Sequence, residues 1–311
     1  MTSGGVLQKA SASPGSVGNA VADPARGVVA DPRGAHERIG EMLVRRGRMT
    51  TAQVATVLDE QSRAPQRFGE IAVRLGMITV KDVDDALAVQ FGYTALEPGA
   101  AQLPAKVVTA FAPTSPFAEA LRGLRSQLMT RWFDGTPGQT AMAVTSVDRG
   151  DGKSFITANL GVVFAQLGEN TLIIDGDMRH PTQHQIFGLP NRMGLSGVLS
   201  RRAGFEEITQ MPHIGSLSVL PSGPLPPNPQ ELLGRPEFSR MLNDLSSIYD
   251  VILVDTPSAQ QSSDAHVIAQ RAGAALIVGR KDRTRSAELS QLTSILSNTG
   301  IRVLGATLNE I

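Results

Sequence analysis

Residues Ser146 to Phe155 read SVDRGDGKSF, between an apolar run, AMAVT (141–145), and a segment of helical character, ITANLGVVFAQLG (156–168). A strand, a glycine-containing turn and then Gly152-Lys153-Ser154 at a helix start is the arrangement of a phosphate-binding loop. There, backbone N–H groups and the helix dipole face an anion. The lysine of such a loop reaches the β- and γ-phosphates of a nucleotide, and the serine hydroxyl ligates magnesium. Asp148, Arg149, Gly150, Asp151, Gly152, Lys153, Ser154 and Phe155 are therefore the candidate nucleotide-binding loop, with Val147 in place of the usual first glycine.

Two distant segments supply the carboxylates that such a loop needs. Leu172 to Arg179 reads LIIDGDMR, an apolar strand ending in Asp175 and Asp177. A spacing of two directs both to the same side, at the carboxyl end of the strand, where open α/β sheets bind ligands. Val251 to Pro257 reads VILVDTP, a second buried-type strand ending in Asp255. That is where a carboxylate holds magnesium directly or through water. Lys153, Asp175, Asp177 and Asp255 form the candidate catalytic set, and Ser154, Asp175 and Asp255 the candidate metal set. Further strands are expected at 217–221, 274–278 and 303–308, with helices near 236–248, 262–271 and 286–298. This alternation predicts an α/β fold: a mostly parallel P-loop NTPase sheet with helices on both faces.

The 311 residues carry 29 basic and 29 acidic side chains, 41% apolar content and no cysteine. The length suggests about two domains, and the neutral balance argues against a nucleic-acid polymer as partner. Disulfides and cysteine-based metal sites are excluded. Residues 1–35, rich in Gly, Ala, Ser and Pro and repeating VADP at 21–24 and 29–32, are expected to form a disordered arm. The arm lacks the apolar block of a signal peptide, and no later run approaches the ~18 apolar residues of a membrane span. A cytoplasmic location is expected.

Residues 36–93 contain a duplication at an offset of 29 residues: Arg38-Ile39-Gly40 returns as Arg67-Phe68-Gly69, Gly47 as Gly76, Gln61 as Gln90. In each copy a short helix, GEMLVRRG or GEIAVRLG, runs to a glycine suited to a left-handed cap. A second helix then starts at Thr50 or Thr79, with Gln53 or Asp82 three residues on, near the capping-box pattern. The glycines serve either as caps and packing positions or as points of close approach to a ligand. Residues 94–116, with four prolines and no sustained period, read as a linker to a domain at 117–311. That domain opens with a helix, FAEALRGLRSQLMTRWF (117–133), whose Glu119, Arg122 and Arg125 form a charged row. Taken alone, the row is a solvated face with one ion pair.

Two resemblances extend these readings. The 38–61 and 67–90 units, each of 24 residues around a five-residue spacer, resemble the amino-terminal domain of type II secretion and pilus ATPases in its cyclic di-GMP-binding form. The resemblance implies that Arg38, Gly40, Leu43, Gly47, Gln61, Arg67, Gly69, Ala72, Gly76 and Gln90 line a cyclic di-GMP site. Residues 112–311 carry, in order, SPFAEALRGLRSQL, SVDRGDGKS, LIIDGDMRHPTQHQIFGL, GLSGVLS, LPSGPLPPNPQELL, YDVILVDTP and TLNE. They resemble the EpsG-like bacterial tyrosine kinases of exopolysaccharide chain-length control. The family implies ATP and magnesium, a homo-oligomer contact through Glu119, Arg122 and Arg125, and adenine reading by Asn309. It also implies a membrane-embedded polysaccharide chain-length determinant as partner, recruiting the chain to the inner membrane.

The chain departs from that pattern in having no carboxyl-terminal tyrosine cluster, only Tyr93 and Tyr249. A kinase acting on another protein, an assembly ATPase and a nucleotide-gated adaptor all remain open. Asp148 occupies the position of the signature lysine of division-site and partition ATPases, which sets that group aside.

Overall fold

The computed structural model describes residues 39–63, 65–83, 86, 106–211, 214 and 216–310. The expected arm at 1–35, and Arg38, Gln90 and Tyr93, lie outside the described residues.

The duplicated block is helical, as its caps predict. Helices α1 (Ile39–Arg45) and α3 (Phe68–Arg74) end before Gly47 and Gly76, whose φ angles of +68° and +66° only glycine adopts freely. Helix α2 (Thr51–Arg63) begins on a reciprocal cap: Thr50 N donates to Gln53 Oε1 at 2.8 Å and Gln53 N to Thr50 Oγ1 at 3.3 Å. Thr79 and Asp82 repeat it at 2.8 and 3.2 Å. Met42, Leu43, Val57, Ile71 and Ala72 form the core of this block. A Cβ on Gly40 would stand 2.9 Å from Val54 Cγ1, and one on Gly69 only 2.6 Å from Val83 Cγ1. These two glycines let the paired helices approach.

The remainder is a seven-stranded sheet. In chain order the strands are β1 (Ala141–Ser146), β2 (Thr171–Asp175), β3 (Thr209–Gln210), β4 (Leu217–Leu220), β5 (Val251–Asp255), β6 (Ala274–Arg280) and β7 (Arg302–Asn309). Their order across the sheet is β3-β4-β2-β5-β1-β6-β7, parallel except for β3. Alternate residues of a strand feed opposite faces. Met142 and Val144 join one core and Ala141 and Ala143 the other, so the central strands are buried on both sides.

One boundary differs from expectation. The segment read as a linker through 116 enters the core from residue 106: it forms helix α4 (Val108–Phe111), and Val107 and Thr109 are fully buried. The reason is a long-range polar knot. Thr109 N and Oγ1 both donate to Asn159 Oδ1 at 3.0 Å, and Asn159 Nδ2 donates to the carbonyls of Lys106 (3.0 Å) and Phe155 (2.9 Å). Asn159 belongs to helix α6 (Lys153–Leu167). Helix α5 (Pro116–Arg131), capped by Ser115, ends two residues early because Trp132 leaves helical geometry and buries its indole, Nε1 donating to Ala141 O at 2.9 Å.

Breaking the knot strands several buried polar groups at once. Asn159→Ala is expected to lower stability by about 2–3 kcal/mol, the cost of unsatisfied buried donors and acceptors, read as a shifted urea midpoint.

Candidate functional site

The loop after β1 turns into α6 through Gly150 and Gly152, at φ +88° and +93°. It forms one wall of a cleft of about 580 Å³ whose lining includes Lys153, Ser154, Phe155, Asp177, Arg280 and Asn309. Lys153 and Asp177 are nearly buried, with Lys153 Nζ 3.9 Å from Asp177 Oδ2. Asp177 Oδ1 accepts from the backbone N–H groups of Arg179 and His180 at 3.2 and 2.9 Å, which fixes the carboxylate toward the cleft.

The two predicted carboxylates of β2 divide in place. Asp175 is still in the sheet, in register with Asp255 of β5, and both are fully buried. Asp175 Oδ2 accepts from Thr182 N and Gln183 N at 2.9 Å each, at the start of helix α7 (Gln183–Phe187). Gln183 Nε2 donates to Asp255 Oδ2 at 2.8 Å and to Ser154 O at 3.0 Å, which ties the start of α6 to the end of β5. One oxygen of each carboxylate, Asp175 Oδ1 and Asp255 Oδ1, is buried with no hydrogen-bond partner. Burial, reinforced by the charge of Asp255, pushes the Asp175 carboxyl well above its ordinary range. Asp255 is raised by burial too, with Lys153 and Ser154 opposing the rise.

This set fits a hard divalent cation: orphaned carboxylate oxygens beside a serine hydroxyl, all oxygen donors. Among the described residues no group of three or more His, Cys, Asp or Glu could hold a metal. An all-oxygen set of few protein donors suits magnesium, which keeps waters and substrate phosphates among its ligands.

Other predicted residues fall differently. Asn309, almost buried, donates from Nδ2 to Asp151 O at 3.1 Å. The α5 row is more than a solvated face: Arg122 bonds Glu119 Oε2 at 2.7 Å and Pro113 O at 2.7 Å, while Arg125 Nη1 donates to Val163 O of α6 at 2.9 Å. Both arginines brace their own chain, and Glu119 is 73% exposed. In the duplicated block, Leu43 and Ala72 are core residues; Gly40 and Gly69 seat valines, and Gly47 and Gly76 terminate helices. Gln61 Nε2 donates to Gln66 O at 3.1 Å, and Arg67 N to Glu70 Oε2 at 3.3 Å.

Sequence reading missed Lys106, Gln183 and Arg280. Lys106 and Arg280 line the cleft. Arg280 carried a signal, its position at the carboxyl end of a parallel strand; Gln183 and Lys106 carried none.

The raised carboxyls set a pH dependence. An acid whose folded-state pKa is raised ionises more easily in the unfolded chain, so the stability tied to its protonated form is full below the ordinary value of 3.8 and is lost as pH climbs through the raised one. In EDTA, Asp175→Asn is expected to melt several degrees above the wild type at neutral pH, at roughly 2–4 °C per kcal/mol relieved. The gap should shrink toward pH 4 and narrow on adding magnesium; equal melting temperatures at neutral pH in EDTA would contradict the charge-crowding account.

No family model matches the chain. It is 38% identical over 200 residues to the putative tyrosine-protein kinase CapB of Staphylococcus aureus, covering 64% of this chain and 86% of that protein. Among solved structures it is similar to the kinase domain of the Escherichia coli tyrosine kinase ETK, with a TM-score of 0.63 and 30% identity over 66% of this chain and 80% of that one. It is likewise similar to the chimerical protein CapA2B2, with a TM-score of 0.62 and 35% identity over 73% and 99%. With its phosphate-binding loop, strand-end carboxylates and this coverage, the chain belongs to the bacterial tyrosine kinase family.

Proposed function

We propose that the α/β part transfers the γ-phosphoryl group of Mg-ATP to a tyrosine hydroxyl on another protein, within a system that sets exopolysaccharide chain length and export. The observation that carries this reading is the buried Lys153–Asp177 pair at 3.9 Å in the cleft that Ser154 also lines, with the buried Asp255 tied to Ser154 O through the Gln183 amide. Lys153 neutralises charge on the γ-phosphate; Ser154 and Asp255, with Asp175 behind them, hold magnesium. When bound, the metal supplies charge neutralisation at the phosphate oxygens. Asp177 orients the phenol and takes its proton as the phenolic oxygen bonds to the γ-phosphorus and the bond to ADP breaks. Most of the rate comes from positioning and charge stabilisation, since little covalent chemistry falls to the protein.

Tyr249 packs against the core, which supports an acceptor on a separate chain. Among the described residues no helix is long and apolar enough to cross a membrane. A membrane-embedded chain-length determinant is proposed as both partner and recruiter to the inner membrane from the cytoplasm.

The test is to incubate the protein with Mg-ATP and the cytoplasmic segment of its candidate membrane partner, beside a Lys153→Met control. Phosphotyrosine is measured by mass spectrometry and phosphate release in parallel. Phosphotyrosine is expected, falling at least about a hundredfold in the control, as for loss of a charge-stabilising group. Phosphate release without phosphotyrosine would replace the kinase reading by an assembly ATPase, and neither signal with nucleotide still bound by a nucleotide-gated adaptor.

We also propose that the duplicated block is a regulatory element for cyclic di-GMP, acting on a homo-oligomer that Glu119 helps to join. The matched left-handed turns at Gly47 and Gly76 support a two-fold unit, and the exposed Glu119 carboxylate supports the contact. Isothermal titration of the full chain with cyclic di-GMP, with mass by light scattering for the wild type and Glu119→Lys, checks both. Micromolar binding and a smaller assembly in the variant are expected; no heat, or no change in mass, removes the corresponding proposal.

A further inference from the structure

Three successive carbonyls of the phosphate-binding loop each accept a side-chain hydrogen bond from the ends of β6 and β7. Arg283 Nη2 donates to Arg149 O at 3.1 Å, Arg280 Nη1 to Gly150 O at 3.2 Å, and Asn309 Nδ2 to Asp151 O at 3.1 Å. The donors are themselves fixed. Arg280 and Asn309 are register partners in the sheet, and Lys281 N donates to Asn309 O at 2.9 Å. The turn that carries both arginines closes on itself: Arg280 N donates to Thr284 Oγ1 at 2.8 Å, Arg283 N and Thr284 N donate to Arg280 O, and Asp282 takes a left-handed φ of +60°.

The loop's glycines lie where these donors press on it. A Cβ on Gly152 would collide with the Asn309 amide, and one on Gly150 would stand 3.0 Å from Arg283 Nη1. Glycine at these two positions thus serves the donors as well as the backbone angles.

In a planar trans peptide the C=O of one residue and the N–H of the next point in opposite directions. Holding the carbonyls of 149, 150 and 151 toward β6 and β7 therefore turns the N–H groups of Gly150, Asp151 and Gly152 the other way. We propose that Arg280, Arg283 and Asn309 are positioning residues that pre-set the loop's N–H groups for polyphosphate, and that Asn309 acts on the loop and not as a reader of adenine. This rests on the phosphate-loop reading above. It departs from the adenine-reading role that the family resemblance implies for Asn309.

The two roles predict different specificity. Affinities for Mg-ATP, Mg-GTP and inorganic tripolyphosphate are measured by titration calorimetry for the wild type, Arg280→Met, Arg280→Lys, Arg283→Met and Asn309→Ala. Melting temperatures are taken without ligand. Each truncation is expected to weaken all three ligands by the same factor, about five- to tenfold for one lost hydrogen bond to a preorganised loop. The ATP:GTP ratio should not move, and Arg280→Lys should recover part of the loss. Arg283 is exposed, so its truncation reports on the loop even where Asn309→Ala compromises folding. An altered ATP:GTP ratio in Asn309→Ala with tripolyphosphate binding intact would make that residue a base reader and overturn the proposal, as would unchanged affinities in both arginine truncations. A wild type that binds none of the three would instead bring down the phosphate-loop reading itself.

Discussion

Two carboxylates held side by side without solvent are the constraint around which the α/β part is organised. Asp175 and Asp255 end neighbouring parallel strands in register, a pairing that puts them about one inter-strand spacing apart, ~4.8 Å. Both lose their hydration, and each raises the cost of ionising the other. The surroundings answer with directed groups: two backbone N–H groups and the Gln183 amide, the Ser154 hydroxyl, and the charge of Lys153. None of these hydrogen-bonds the second, buried oxygens, Asp175 Oδ1 and Asp255 Oδ1. The fold thus carries an electrostatic cost at this point, one that a cation bound there would offset.

Features encoded within a few residues were legible, whereas those encoded across the chain were not. The caps of the duplicated block read correctly because Thr50–Gln53 and Thr79–Asp82 act over three residues. Strands β1, β2, β4, β5 and β6 were legible because they are continuous apolar runs buried along their length, whereas the two-residue β3 was not. Residues 106–116 did not, because their folding depends on Asn159, some fifty residues away, and nothing in their own composition announces it. The end of α5 was misplaced by two residues for a similar reason: the tertiary bond from the Trp132 indole to Ala141 overrides a sequence that could continue as helix.

The site shows the same division. The positions of Lys153, Ser154, Asp177 and Asp255 follow from motif and strand-end logic, and they do meet in one place. A spacing of two had directed Asp175 and Asp177 to the same side, but the strand ends between them, so one is sealed in the sheet while the other faces the cleft. The duplicated block carries the opposite lesson. Gly40, Leu43, Gly69 and Ala72 repeat because two copies of the same helical packing need the same small and apolar residues. Packing accounts for the repetition at these four positions.

The sheet's two margins are closed by different means. At one, β3 is only two residues long and runs antiparallel to β4. At the other, β7 has eight residues, but its register with β6 shifts between Ala275 and Leu276, and Arg131 Nη1 covers the Leu304 carbonyl at 3.0 Å. An open, regular edge is a template on which a second chain can add a strand. Here one margin is short and the other carries a register shift and a covered carbonyl, two features that work against pairing with the edge of a second chain.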